Sequence, residues 1–320
     1  MPKLLIKNGT VIDPSQGLSG SMDILVEDGK IAKIAESISG AKTDDVLDAA
    51  GLLVCPGFVD THVHLREPGD EGAETIATGT RAAARGGYTT IYAMPNTNPP
   101  CDSTTGVQYI LSRAASHGSG IKVIPIASIT LGREGEAITN IGVLKSVGAG
   151  AFSDSPNPLM NAEIMRRALE YARPLNVPIL SHCQDMNLTG DGVMHEGVVS
   201  LQLGLKGIPR LSESVMVARD VALAQFTGGH VHICHVSTRE SVQAIREAKG
   251  NGVRVTAEVS PHHLTMTHED VRGYNTNAKV LPPLCEEDDR QPLIAGLQDG
   301  TIDSIASGHA PHSPTSKNSV

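Results

Sequence analysis

The distribution of apolar and polar positions divides the chain near residue 51. Before that point, short runs at 3–8, 22–27 and 31–35 alternate with polar residues. Asn8-Gly9 and Asp28-Gly29 stand beside them as turn signals. This pattern predicts a small antiparallel sheet. From about residue 52 the rhythm changes to apolar strand, polar loop, Ala-rich helix, and it repeats. Strands are expected at 52–60, 88–93, 121–127, 149–153, 177–182, 230–236, 253–259 and 302–307. Helices are expected between most of them, for example at 74–85, 161–173, 212–225 and 238–248. Eight alternating units predict an α/β fold, a (β/α)8 TIM-like barrel with a small partial N-terminal β-sheet domain. The expected division is 1–51 for the sheet, 52–312 for the barrel, and 313–320 for a polar, disordered tail. No eighth helix is expected after the last strand.

Composition agrees with this reading. The chain has 320 residues, 40% of them hydrophobic and only 2% aromatic, so its core is aliphatic, as suits parallel strands covered by helices. A formal net charge of −9 with no basic stripe argues against nucleic acid and anionic membranes as partners, but leaves a small anionic substrate open. No apolar run approaches the ~20 residues of a membrane span, and residues 1–7 are too short and polar for a signal peptide. Five irregularly spaced cysteines read as reduced thiols, so a cytoplasmic location is expected.

The candidate chemistry lies at the C-terminal ends of the strands, the catalytic face of such barrels. His62 and His64 form a His-x-His whose side chains share one strand face and can converge on one metal ion. Arg66 is in phase with them and suits an anionic group. Asp154, His182 and His235 end later strands. Four imidazoles and a carboxylate suit one or two Zn²⁺ ions, with Asp154 able to bridge a pair. Each residue alone has a plainer reading: a strand-end histidine as an ordinary polar group, Asp154 as a helix cap. Alternation does not by itself choose among His230, His232 and His235. Asn96 fits either a substrate contact or an Asx-turn, and His312 can reach a ligand from the eighth loop. His262 and His263 read as loop histidines, and 286–290 as a solvated helix start.

Taken together, these motifs resemble the cyclic amidohydrolases, specifically class I dihydroorotase. The stretches that carry the resemblance are 60–69 (Asp-Thr-His-Val-His-Leu-Arg-Glu-Pro-Gly), 94–97 (Met-Pro-Asn-Thr), 151–154 (Ala-Phe-Ser-Asp), 180–183 (Leu-Ser-His-Cys), 192–197, 233–238 and 309–312 (His-Ala-Pro-His). The resemblance spans residues 3–312. It implies a metal-dependent hydrolase barrel that interconverts dihydroorotate and carbamoyl aspartate in pyrimidine synthesis. It further implies zinc ligation by His62, His64, Asp154, His182 and His235. Substrate binding would fall to His64, Arg66, Asn96 and His312. A homodimer and an association with aspartate carbamoyltransferase are the partners it implies.

Four departures from the family pattern stand out. Gly308 occupies the position of the family's catalytic Asp, so no intact catalytic acid/base is expected. Leu281 and Cys285 stand where the family has Asn and Arg, and Ser155-Pro156 replaces Asp-Gly. The family's chain also continues beyond this one, so a C-terminally truncated sequence is expected. These features predict an impaired enzyme. The alternatives are a non-catalytic scaffold subunit for aspartate carbamoyltransferase and a fragment.

Overall fold

The computed structural model describes residues 3–40 and 43–317. The chain divides into two compact units, with the boundary after Phe58.

The first unit is a five-stranded sheet: β1 (Leu4–Asp13), β2 (Leu18–Glu27), β3 (Lys30–Ala35), β4 (Asp45–Asp48) and β5 (Leu53–Val54). It is mixed rather than antiparallel, because β4 and β5 both pair in parallel with β1. Asp28-Gly29 makes the expected tight turn, both residues having positive φ. Asn8-Gly9 does not. It is a bulge inside β1, where the register against β2 shifts between Ile6 and Gly9. The glycine there serves close packing, since a Cβ on Gly9 would lie 2.6 Å from Val54 Cγ2.

The second unit carries eight parallel strands in the order β15-β14-β13-β10-β9-β8-β7-β6. They are β6 (Phe58–Val63), β7 (Tyr88–Ala93), β8 (Lys122–Ala127), β9 (Ala151–Phe152), β10 (Ile179–Ser181), β13 (Val231–Ile233), β14 (Val255–Val259) and β15 (Ser304–Ile305). The run expected as one strand at 52–60 is broken at Cys55-Pro56-Gly57. Its first part joins the small sheet as β5, and the barrel begins with β6. Closure comes from beyond β15: Val63 and His309 form a parallel bridge, His64 N–H donates to His309 O (2.8 Å), and Ser307 N–H donates to Asp60. Residue 308 is thereby held beside the His-x-His.

Helices α1 (Ile76–Arg85), α2 (Thr104–His117), α3 (Ile141–Ser146), α4 (Ala162–Leu175), α7 (Leu211–Thr227), α8 (Arg239–Gly250) and α10 (Glu287–Gln298) follow strands of the barrel. Their starts obey ordinary capping chemistry: Thr75, Ser103, Asn140, Asn161 and Thr238 each accept a first-turn N–H. The main core, including Ile91, Phe152, Ile179, Ile233 and Val259, lies between strands and helices. A smaller cluster, Met94, Ile126, Ala151, Leu180 and Cys234, fills the barrel interior. Two excursions were not anticipated. Residues 186–208 form α5 (Met186–Thr189), β11 (Met194–His195), α6 (Val198–Leu203) and β12 (Gly207–Ile208), and β14 is followed by α9 (Pro261–Thr265) and a 3-10 turn at His268–Val271. The tail expected to be disordered starts with a helical turn, α11 (Pro314–Lys317), while 318–320 lie outside the described residues, as do 1–2 at the other end.

Candidate active site

Four histidines meet at one mouth of the barrel. The His62 ring lies 5.2 Å from His64 and 5.3 Å from His235, centroid to centroid, and His235 lies 4.6 Å from His182. His182 Nδ1 and His235 Nε2 are 2.7 Å apart. His62, His64 and His182 are buried and His235 is partly so. His62, Met94, Leu180 with His182, and Cys234 follow the inward alternation of their strands. His235 breaks it. Residue 234 already points inward, so alternation alone would turn 235 toward the helices. A positive φ of 36° accompanies its contact with His182. A non-glycine residue held there is strained, and such strain collects at functional positions. Buried Glu213 of α7 holds the residues two and three positions further on, accepting from the Ser237 and Thr238 N–H groups and both hydroxyls.

Burial favours the neutral form of three of these rings, His64, His182 and His235. It lowers His64 to about 3 and His182 to about 4, and takes His235 well below the usual value, with neighbouring histidines adding to the effect on His64 and His235. Three rings are tied from behind, His182 through Nε2–H donating to Gln184 Oε1 (2.9 Å). His62 Nδ1–H donates to Glu258 (2.7 Å) and His64 Nδ1–H to the Asn96 side-chain carbonyl (2.6 Å), so each Nε2 keeps its lone pair. Neutral imidazoles with converging lone pairs and carboxylate or amide partners behind them are the donor chemistry of a divalent metal site. His62, Cys234 and Glu258 also offer donor atoms within 4.8 Å of one another.

Glu258 escaped the sequence reading, and His232 was weighed there beside His230 and His235 without being chosen. Glu258 is fully buried in β14 and accepts from Thr61, His62 and His232. Burial alone would raise its carboxyl; His62 and His232 beside it bring it well below the ordinary range instead. The signal was a lone acid inside the apolar run 255–259, and His232 shares the phase of Cys234.

Asp154 is not joined to the histidines by any hydrogen bond. Its carboxylate accepts from Ile129 N–H, Thr130 N–H and the Thr130 hydroxyl (2.9, 3.1 and 2.5 Å), all in the loop after β8. The physical reason is the two-residue period: with Ala151 in the lumen cluster, Ser153 and Ser155 are in phase with it and Asp154 is not. Ser155 is buried and its hydroxyl has no hydrogen-bond partner. The metal-bridging role expected of Asp154 therefore has no support in this geometry.

The other expected residues gather at one side of the cluster. Asn96 bonds His64, and the Arg66 guanidinium acts electrostatically on both His64 and His312. Arg66 has a positive φ of 61°, and its buried Nε has no partner, leaving a donor for an incoming anion. Gly308 has φ +61°, and a Cβ built on it would meet nothing within 4 Å. Leu281 is exposed, whereas Cys285 is buried against Pro283 O and Ser237. His263 is a structural tie between Ser260 and Pro282 O.

The histidine environment carries a consequence for stability. His64, His182 and His263 sit at about 3, 4 and 4 in the fold, against 6.5 when free. The unfolded chain therefore binds more protons between pH 6.5 and 4. Stability of the metal-free chain should be full above pH 6.5 and fall steadily as pH drops through that window. Urea midpoints measured from pH 7.5 to 4.5 check this; a flat profile would contradict the burial argument.

Relatives decide what kind of site this is. The sequence profile described as dihydro-orotase-like matches residues 51–241. The dihydroorotase of Pelotomaculum thermopropionicum is 54% identical over 315 residues, covering 98% of this chain and 73% of its own length. The dihydroorotase of Pelobacter propionicus is 52% identical, with coverages of 97% and 73%. The chain belongs to the dihydroorotase family. Like that family it is a cyclic amidohydrolase, and solved structures agree in fold. L-hydantoinase from Arthrobacter aurescens superposes with a TM-score of 0.84 at 22% identity, covering 98% of this chain and 70% of the other. D-hydantoinase from a Thermus species gives 0.79 at 26% identity, with coverages of 97% and 69%. This member of the dihydroorotase family gathers four histidines at one mouth of the barrel and carries glycine at 308. No helix among its described residues is long and apolar enough to cross a membrane.

Proposed function

We propose that this chain opens and closes the ring of dihydroorotate, with N-carbamoyl aspartate as the other partner of the equilibrium, and that it does so slowly. The observation that carries the reading is the convergence of four histidines beside an arginine donor unpaired among the described residues. His62, His64, His182 and His235 would hold one or two divalent ions, and all-imidazole donors favour Zn²⁺ over harder ions. Such an ion supplies Lewis acidity, both to the ring carbonyl and to the attacking water.

The remaining work falls to the chain. Glu258 fixes His62 in one tautomer, and Asn96 does so for His64 while its NH2 remains available to a carboxylate. Arg66, helped by Asn96 and His312, binds the carboxylate of the substrate and so aims the ring amide at the histidines. Opening the ring also requires a proton at the leaving nitrogen. Gly308 has no side chain to carry it, and a positioned acid/base typically contributes ~10²–10⁴ in rate. Free cysteines, four of the five buried, suit a reducing compartment, which supports a cytoplasmic setting.

Dihydroorotate hydrolysis assayed with added Zn²⁺ tests the proposal. A slow, metal-dependent turnover abolished by His182→Ala is expected, and metal-independent turnover would sink it. Arg66→Met should raise KM about 10–100-fold, the worth of a charge-assisted hydrogen bond, with a smaller change in kcat. Gel filtration with aspartate carbamoyltransferase tests the scaffold role separately, since a scaffold needs the barrel but no turnover.

A further inference from the structure

A second group of metal-type donors lies outside the histidine mouth. His195 ends β11, His268 starts the 3-10 turn after α9, and Glu286 immediately precedes α10. One donor atom from each lies within 4.8 Å of the others. The two imidazoles meet edge to face, centroids 5.7 Å apart. Both rings are more than nine-tenths buried, and Nδ1 of each is sealed from solvent without a hydrogen-bond partner. His195 makes no side-chain hydrogen bond among the described residues, while His268 Nε2 faces Glu269 Oε1 at 3.5 Å.

Two buried ring nitrogens left unsatisfied carry the full desolvation penalty of a polar group without a hydrogen bond in return. A fold that retains both has a use for them or a ligand between them. All three side chains look onto Gly197. A methyl built there would stand 3.3 Å from Glu286 Oε1, 3.5 Å from His195 Cδ2 and 3.7 Å from His268 Nδ1. The missing side chain leaves a small void bordered by the three side chains, with Glu286 Oε1, His268 Nδ1 and the Cδ2 edge of His195 facing it. Nearby, Asp289 one helical turn beyond Glu286 is fully buried with Oδ2 also unpartnered, so the surroundings are rich in anionic oxygen.

We propose that His195, His268 and Glu286 bind a structural divalent cation, Zn²⁺ by donor type, separate from the histidine cluster at the barrel mouth. Two imidazoles and a carboxylate are a well-populated zinc ligand set, with a fourth position for water. Tetrahedral bonds of about 2.1 Å place donors about 3.4 Å apart, so closing the group from 4.8 Å takes roughly an ångström of side-chain movement. The ion would clamp the excursion after β10, residues 186–208, to the segment between β14 and α10. Both are insertions without a place in the barrel's own strand-helix alternation, and a crosslink there would hold them together.

The test compares the full chain with His195→Gln, His268→Gln and Glu286→Gln after saturation with Zn²⁺ and removal of free metal. The barrel-mouth histidines are unchanged throughout, so their occupancy cancels. Each histidine variant should bind one fewer Zn²⁺ per chain than the parent. Added Zn²⁺ should slow amide exchange at 194–197 and 267–272 in the parent and not in the variants. Glu286 is partly exposed and makes no helix-cap hydrogen bond, so its variant should fold whatever the histidine variants do. Its affinity for the last ion should drop about tenfold or more, since even an outer-shell partner is worth 10–100-fold. Equal stoichiometry in folded histidine variants, or unchanged affinity in Glu286→Gln, would overturn the proposal.

Discussion

Glu258→Ala is expected to weaken divalent-metal binding at the barrel mouth about 10–100-fold, the usual cost of removing a carboxylate behind a ligating histidine. Glu258 accepts from the Thr61 hydroxyl, His62 Nδ1 and His232 Nε2 in a region closed to solvent. Without it, His62 is free to rotate or to move its proton to Nε2, which removes the lone pair that faces the cluster. Stability should also fall, on the order of 3 kcal/mol, because three donors, the two histidines among them buried, lose their acceptor. Glu258→Gln retains one acceptor oxygen and should lie between parent and alanine variant. Competition titration with a chromophoric chelator, together with urea unfolding, measures both effects. Parent-like affinity in a folded Glu258→Ala chain would mean that His62 is not a ligand.

Gly308→Asp should raise kcat for dihydroorotate hydrolysis by about 10²-fold or more, within the span of a restored acid/base. The backbone already holds residue 308 beside His64, through the bond from His64 N–H to His309 O. A side chain there meets open space. The left-handed φ of +61° costs some stability, yet Asp and Asn are the non-glycine residues that tolerate it best. Gly308→Asn is the control. It has the same shape and the same backbone cost but cannot exchange a proton, so it should stay at the parent's rate. If the two variants turn over equally, or if the parent already matches the aspartate variant, the missing side chain is not what limits this chain.

The amino-acid sequence revealed the barrel because each apolar run ends in polar residues and is followed by an amphipathic helix. It also exposed His62, His64 and His182, whose inward direction follows from a two-residue period alone. Where a local backbone event intervened, residue pattern alone was not enough, and His235 was named through the family resemblance. His235 reaches the cluster through a positive φ that no residue pattern announces. Asn8-Gly9 has the composition of a turn but makes a bulge, since the glycine is needed for contact with Val54. Asp154 looked like a metal ligand by type, yet stands one residue out of phase with the lumen and spends its oxygens on the β8 loop. Glu258 was legible, being an acid in an apolar strand, but its importance depends on tertiary pairing with β6 that is 196 residues away in sequence. The His195, His268 and Glu286 group was beyond reach, because it joins two insertions that no periodicity places together.

Anomalous diffraction at the zinc edge from crystals of the Zn²⁺-loaded chain addresses the histidine cluster most directly. The account predicts a peak at the barrel mouth about 2.1 Å from ring nitrogens drawn from His62, His64, His182 and His235. Strong zinc density elsewhere with none among these four rings would contradict it.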